Sequence, residues 1–508
     1  MKMMKVIDSS VSIKLDIAEL LYRSKFWISS EEIAMYLKLD KKTIHRYTSE
    51  LSEDILDFNK DTISFESIKG KGVKLHVSNA NDYREFKQFL LDSTLTINIV
   101  KALAFKKRNS LISLANDNFV SESTIRRKIQ QLKEYIDHMD ISITSKSGRY
   151  SIVGDEKEIR MFLFIILWKV YRGRTWPFSE IDHNKMISLI NTLTRTTEFQ
   201  IKEINKQKVA FMLAICLLRY KKGSKIDLSK IDSKIINLCK VIDKYTDINK
   251  QLSSYYFLPK IESHFFILLL LSRPVMYSLS FENHSVAELC KNIEPEYYTT
   301  TISVLNGLLE HFELQASPAV YSQILNTLLA NHLYLYMNPG THYDNNGYYI
   351  YPTLYSSYPV LIEKIKDFIK HTVPKDLLSL DYNAELLSSS YFFALAQLMD
   401  IKKYEPKIYI YFESDFNLIA EKSIINYVHS YLRSTYNIEF FTHYFEANSS
   451  EIDLIVSTSA APTLIELQRN IPHINIFPET MRKDIATIEY EIEKIIENKY
   501  LHMGITTS

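Results

Sequence analysis

The chain has 508 residues, 46% of them hydrophobic and 12% aromatic, with 61 basic and 60 acidic side chains. That length calls for about three to five domains, and the apolar content excludes an intrinsically disordered chain. Cys216, Cys239 and Cys290 are scattered and form no CxxC, which excludes a disulfide scaffold and a cysteine-based zinc site.

Only ten glycines are present, and none forms the clusters that phosphate-cradling loops need. GxSxG and HExxH are absent as well. A binding protein without cofactor is therefore expected rather than an enzyme. The longest apolar runs, Met161 to Trp168 and Phe265 to Leu271, fall short of the roughly 18 residues that a membrane span requires. Asp8, Asp16 and Glu19 interrupt any signal-peptide pattern, so a cytoplasmic location without membrane contact is expected.

Charge is distributed unevenly. Residues 1–150 hold 25 Lys/Arg and 20 Asp/Glu, a balance of +5, and the remainder holds 36 and 40, a balance of −4. Residues 13–23 space apolar groups at three to four and predict a helix. A short helix over Glu31 to Leu37 follows, then a turn at Lys38-Leu39. Asp40 is a good N-cap for a third helix from Lys41 to about Ile55. Ile44, Tyr47, Thr48, Leu51 and Ile55 form its buried face, and Lys41, Lys42, Thr43, His45, Arg46 and Ser49 its exposed one. Two extended stretches, Thr62 to Ile68 and Val73 to Ser78, flank a basic tip at Lys69-Gly70-Lys71-Gly72. Three helices followed by a two-stranded wing is the order of a winged helix-turn-helix.

The pattern recurs. Helices are predicted over Tyr83 to Phe105, Ser110 to Ala115, and Ser121 to Ile136. Asp40 to Arg46 aligns with Ser121 to Arg127 at an offset of 81 residues. The second exposed face offers Ser123, Thr124, Arg126, Arg127 and Gln130. A second wing runs from Ile141 to Val153 around Ser147-Gly148-Arg149. Such a helix fits a major groove, where Arg, Lys, Gln, Ser and Thr reach base edges or phosphates. Wing cations such as Lys69, Lys71 and Arg149 contact the neighbouring backbone. The same features also suit a winged domain that binds protein, or faces that are only solvated. Arg46 and Arg127 could equally hold their helices onto neighbours.

Residues 155–402 read as mainly helical, over 158–170, 184–197, 203–221, 229–244, 257–272, 300–314, 319–336, 358–371 and 383–400. A weak duplication at an offset of 127 sets Ser263-His264-Phe265 against Ser390-Tyr391-Phe392. From Lys407 the period changes. Strands at Lys407 to Phe412, Ile438 to Phe441, Glu451 to Ser457 and His473 to Phe477 alternate with helices at 417–432, 463–468 and 481–499. That order predicts a small parallel sheet covered on both faces.

The whole order resembles the Mga/AtxA-type transcription regulators, bacterial proteins with PTS regulation domains (PRDs) and an EIIB-like C-terminus. The resemblance spans essentially the whole chain. It rests on domain order and on the two Thr-Ile-x-Arg helices, Thr43 to Arg46 and Thr124 to Arg127. It implies a multidomain, mainly α protein. Tandem winged helix-turn-helix domains occupy 1–80 and 81–154, two helical PRD bundles 155–280 and 281–403, and an α/β EIIB-like domain with a parallel sheet 404–508.

The resemblance further implies promoter double-stranded DNA as partner, often in virulence or sugar-use control. It implies a homodimer held partly by the EIIB-like domain, and histidine phosphorylation by PTS phosphocarrier proteins. His183, His264 and His311 are the candidate phosphoacceptors, with His332, His342 and His371 behind them, although each also reads as an ordinary surface or core histidine. Active EIIB proteins carry a cysteine after their first strand. Here Glu413-Ser414-Asp415-Phe416 follows Phe412, so cysteine phosphotransfer is not expected. Other readings are a protein-binding scaffold and a phosphotransfer component of sugar uptake. A PRD antiterminator that binds RNA is disfavoured, because those carry a small β RNA-binding domain that this N-terminus does not resemble.

Overall fold

The structure is a computed structural model that describes residues 8–505, except 25, 93, 108, 138, 174, 195–200, 230, 282–283, 339–343, 346–356, 376, 378–380, 443–451, 459–470 and 478–480. The chain forms two compact units that divide in sequence after Pro295, and Asn345 belongs to the first.

The first unit opens with α1 (Ser9–Arg23), α2 (Ser30–Leu37), α3 (Lys41–Phe58) and the hairpin β1 (Ile63–Ile68) and β2 (Gly72–Val77). Ser29 and Glu32 form a reciprocal capping box at the start of α2. Lys38 then takes a left-handed conformation, φ 54°, and turns the chain into α3. Ile17, Leu21, Ile33, Ile44, Leu51 and Val73 close one apolar core, where each fully buried aliphatic side chain contributes about 1.5–3 kcal/mol. Ile28 pairs with Val73 and adds a third strand segment to the wing. A Cβ at Gly72 would lie 2.2 Å from the Ile28 carbonyl oxygen, and φ there is +105°, so only glycine fits.

The helix predicted unbroken over 83–105 is two helices, α4 (Ala80–Asp92) and α5 (Leu95–Phe105). α4 sets Tyr83, Phe86 and Leu90 into the core of the first module. Then come α6 (Leu111–Asp117), α7 (Glu122–Ile136), β3 (Ile141–Lys146) and β4 (Arg149–Gly154). The Tyr150 amide donates to the Asn109 carbonyl at 2.8 Å. Asn109 is the residue 81 positions after Ile28, so the third-strand contact recurs.

α8 (Glu156–Tyr171) is apolar on nearly every side and buried almost throughout. It packs against α10 (Glu203–Lys222), and α9 (His183–Thr194), the short α11 (Ser233–Asn237) and α12 (Lys240–Asp243), α13 (Ile248–Tyr256) and α14 (Lys260–Leu271) make up the rest of the helical part. The single helix predicted over 229–244 is thus two short ones. α13 and α15 (Val286–Ile293), the latter after the short antiparallel pair β5 (Ser280–Phe281) and β6 (His284–Ser285), were not anticipated.

Inside this bundle lies a buried ionic network. Arg160 donates to Glu156 Oε1 at 2.9 Å and to both Glu262 oxygens at 2.6 and 3.2 Å. Arg219 donates to Glu156 at 2.9 and 2.7 Å and to the Ala104 carbonyl at 2.8 Å. Lys222 reaches the Leu103 carbonyl at 2.6 Å. Two cations from α10 therefore satisfy carbonyls in the last turn of α5, where the helix dipole favours positive charge.

The second unit holds α16 (Pro295–His311), α17 (Pro318–Met337), α18 (Pro359–Thr372) and α19 (Asp381–Leu395). It then forms a parallel sheet from β7 (Ile408–Glu413), β8 (Ile438–Phe441), β9 (Leu454–Ser457) and β10 (His473–Asn475), in the order β10-β9-β7-β8. α20 (Leu418–Leu432) and α21 (Met481–His502) both pack on the face formed by Ile408, Ile410 and Phe412. The opposite face carries a smaller cluster around Ile452 and Ile455. The helix predicted over 463–468 lies outside the described residues.

Glu405 joins the helical and α/β parts of this unit. It accepts from the Leu361 amide at 3.1 Å and the Tyr500 hydroxyl at 2.9 Å, and burial pushes its carboxyl above the usual range.

Candidate nucleic-acid interface

The two recognition helices are built alike. Asp40 accepts from the Thr43 amide at 2.8 Å and from its hydroxyl at 2.6 Å. Those bonds hold the Asp40 carboxyl below its usual range. Ser121 accepts from the Thr124 amide at 3.2 Å. Ile44, Tyr47, Thr48, Leu51 and Ile55 are buried along α3, and Ile125, Ile129, Leu132 and Ile136 along α7. These apolar seams fix each helix so that its other side faces solvent.

On that side Lys42, His45, Arg46, Ser49, Ser123, Arg126, Arg127 and Gln130 are exposed. Thr43 and Thr124 are half-buried, and their hydroxyls bond within the caps. Lys41 forms an ion pair with Glu31 of α2. Arg46 stacks on Tyr47 of its own helix, 4.4 Å from the ring centre, with Glu50 at 3.9 Å. Neither Arg46 nor the exposed Arg127 ties its helix to a neighbouring element among the described residues. Gln130 donates to Glu134 at 3.2 Å.

The wings place their cations at the turns. Lys69 is exposed, and Lys71 stands 6.0 Å from the centre of the Trp27 ring. In the second wing Arg149 pairs in register with Lys146, so two exposed cations flank the tip. Reading the sequence missed Lys146, because its position opposite Arg149 depends on the strand register. The modules thus present two helices and two wing tips with side chains suited to phosphates and base edges.

Residues 79–167 match the Mga helix-turn-helix domain. The chain is also similar to the capsule synthesis positive regulator AcpA of Bacillus anthracis, 28% identical over 44% of this chain and 45% of that protein. It is 26% identical to the anthrax toxin expression trans-acting positive regulator of Bacillus anthracis, over 40% of this chain and 41% of that protein. A putative trans-acting regulator of Streptococcus pneumoniae is 20% identical over 43% of each. In each case the match spans less than half of the relative. These matches bear out the resemblance to the Mga/AtxA-type regulators.

The candidate histidines occupy unlike settings. His183, at the start of α9, is half-buried, bonds Gln207 through Nε2 at 2.8 Å and lies against Trp176 at 4.6 Å. His264 lies inside α14, with Nε2 3.2 Å from Asp243. Burial lowers its pKa and raises that of Asp243. His311 is exposed at the end of α16, with its ring near Phe312 and Phe368.

His332 is fully buried. It bonds Thr301 at 3.0 Å and Tyr391 at 3.2 Å, which is a packing role. His371 is exposed and bonds the Asp367 carbonyl at 2.9 Å. His342 lies outside the described residues.

In the α/β part, the loop after β7 uses its polar groups internally. Ser414 donates to Glu421 at 2.6 Å, Thr458 donates to Asp415 at 2.7 Å, and Asn417 caps α20. No helix among the described residues is long and apolar enough to cross a membrane.

Proposed function

We propose that the chain is a transcription regulator that binds promoter DNA through both winged modules. The observation that carries this reading is the repetition at one offset of the same device: a capped helix with an apolar seam and an exposed arginine, Arg46 in one copy and Arg127 in the other. The match to the Mga helix-turn-helix domain supports it, as do relatives named as positive regulators of capsule synthesis and toxin expression. Lys42, His45, Ser49, Ser123, Arg126 and Gln130 face the duplex, and Lys69, Lys71, Lys146 and Arg149 take the flanking phosphates.

The helical modules at 155–280 and 281–403 serve as PRD-like regulatory bundles, and the α/β domain as an EIIB-like dimerisation element. In this reading His183, His264 and His311 are the sites where PTS phosphocarriers would act. A phosphate there adds up to two negative charges and reorders the contacts around it.

An electrophoretic mobility shift of the full chain with A·T-rich promoter duplex tests the reading. Wild type is expected to bind, and the variant Arg46→Ala/Arg127→Ala to lose most of its affinity. A folded chain that shifts no duplex would favour the protein-binding scaffold instead.

A further inference from the structure

In the first unit, α12, α13 and the start of α14 enclose a cavity of about 410 Å³, lined among others by Asp243, Asn249, Lys250, Leu258, Lys260 and Ser263. Ser263 is 1% exposed, and its hydroxyl has no hydrogen-bond partner. Asn249 Oδ1, in the lining of the same cavity, is likewise buried without a hydrogen bond. A buried polar atom left unpaired costs free energy, and native proteins leave few. Two in the lining of one cavity, a hydroxyl and an amide oxygen, describe a site whose ligand completes the set.

The chemistry of the walls selects that ligand. Lys250 and Lys260 are exposed and line the cavity. Pro259 caps α14 without a side-chain hydrogen bond, so the positive end of that helix is not offset by its own cap residue. Helix amides and two ammonium groups together favour an anion. Asp243 is the one carboxylate of the lining, and its two oxygens face Asn249 Nδ2 and His264 Nε2. Ser263 can donate to an oxyanion. Asn249 Oδ1 can only accept, so a ligand that completes the set also carries a donor, which on an oxyanion is a hydroxyl.

We propose that this cavity is a binding site for a small hydroxylated oxyanion of the phosphate class, held without a covalent bond by Lys250, Lys260 and Ser263, with Asn249 accepting the ligand's hydroxyl. Monohydrogen phosphate carries both features in one molecule. The site is independent of the DNA-binding surface and stands whether or not the chain binds a promoter.

The test is a thermal-unfolding titration of the full chain with inorganic phosphate, since a ligand that binds only the folded state raises the midpoint in a concentration-dependent way. Wild type is expected to show a saturable rise, and Lys260→Ala, a change at an exposed position, to weaken the apparent affinity about tenfold or more. Ser263→Ala removes an unpaired hydroxyl, so it is expected to raise the midpoint of the phosphate-free chain while losing most of the phosphate response. A general salting effect on the surface would be non-saturable and identical in Lys260→Ala. An identical rise in wild type and Lys260→Ala, or no rise at all, overturns the proposal.

Discussion

Lys128, on the inner flank of the second recognition helix, forms an ion pair with Asp8, the residue that precedes the first helix of the chain. Asp8 also accepts from the Leu95 amide at 3.1 Å and the Thr96 hydroxyl at 2.8 Å. One carboxylate thus caps α5 and holds α7, and it joins the start of the first winged module to the second. Asp8→Asn should cost about 1–3 kcal/mol, the range for hydrogen bonds to a charged group. Urea unfolding of both chains measures this, and an unchanged midpoint would mean that the clamp contributes nothing.

The buried network makes a second prediction. Glu262 is 1% exposed and receives two bonds from Arg160 and one from the Ile226 amide at 2.9 Å. Glu262→Ala leaves the two buried guanidinium groups of Arg160 and Arg219 sharing the single carboxylate of Glu156, which should cost about 3–5 kcal/mol. The exposed Glu288→Ala, which loses its capping-box bond and an exposed 4.0 Å contact with His284, should cost about 1 kcal/mol. Similar losses in the two variants, read from denaturant midpoints, would remove the special role of the network.

Stability should also respond to pH at the base of the second wing. Burial, and secondarily the charge of Asp155, push the Glu158 carboxyl up to about 7 from its ordinary 4.5. Between those values the folded chain holds a proton that the unfolded chain has released. The stabilisation is therefore full below about 4.5 and declines as pH rises to about 7. Glu158→Gln should flatten this slope and raise stability at pH 8 by about 1–3 kcal/mol. Thermal midpoints of both chains from pH 5 to 8 check it, and parallel curves would contradict it.

The recognition helices were legible because their signals are local. Asp40 and Ser121 cap them, and apolar residues at a helical period mark the seams, so both faces follow from adjacent residues. The break between α4 and α5 was not legible. Thr94 makes no side-chain cap of its own, and the Leu95 amide is satisfied by Asp8, 87 residues away. Arg160 and Glu262 meet across 102 residues, so their charges read as surface positions until the bundle brings them together. α8 carried a visible apolar stripe, but its burial on the remaining sides comes from α10, α4 and the second wing, which no local period announces. Lys146 became a wing cation only through its register with Arg149.

Single substitutions should separate base contacts from phosphate contacts. Arg127→Ala should weaken binding by about 1–3 kcal/mol and relax sequence preference, whereas Lys71→Ala should weaken all duplexes alike. Competition with mismatched duplexes distinguishes the two, and equal selectivity in both variants would contradict the assignment of α7 as the reading helix.

The central claim is that the exposed cations of α3 and α7 grip one duplex, and its most direct test is affinity across a salt series. Each phosphate neutralised contributes about −0.9 to the slope of log K against log salt. The account predicts a steep slope for wild type, flattened by about two to three in Arg46→Ala/Arg126→Ala/Arg127→Ala. Equal slopes in the two chains, with both folded, would show that DNA is held elsewhere and contradict the account.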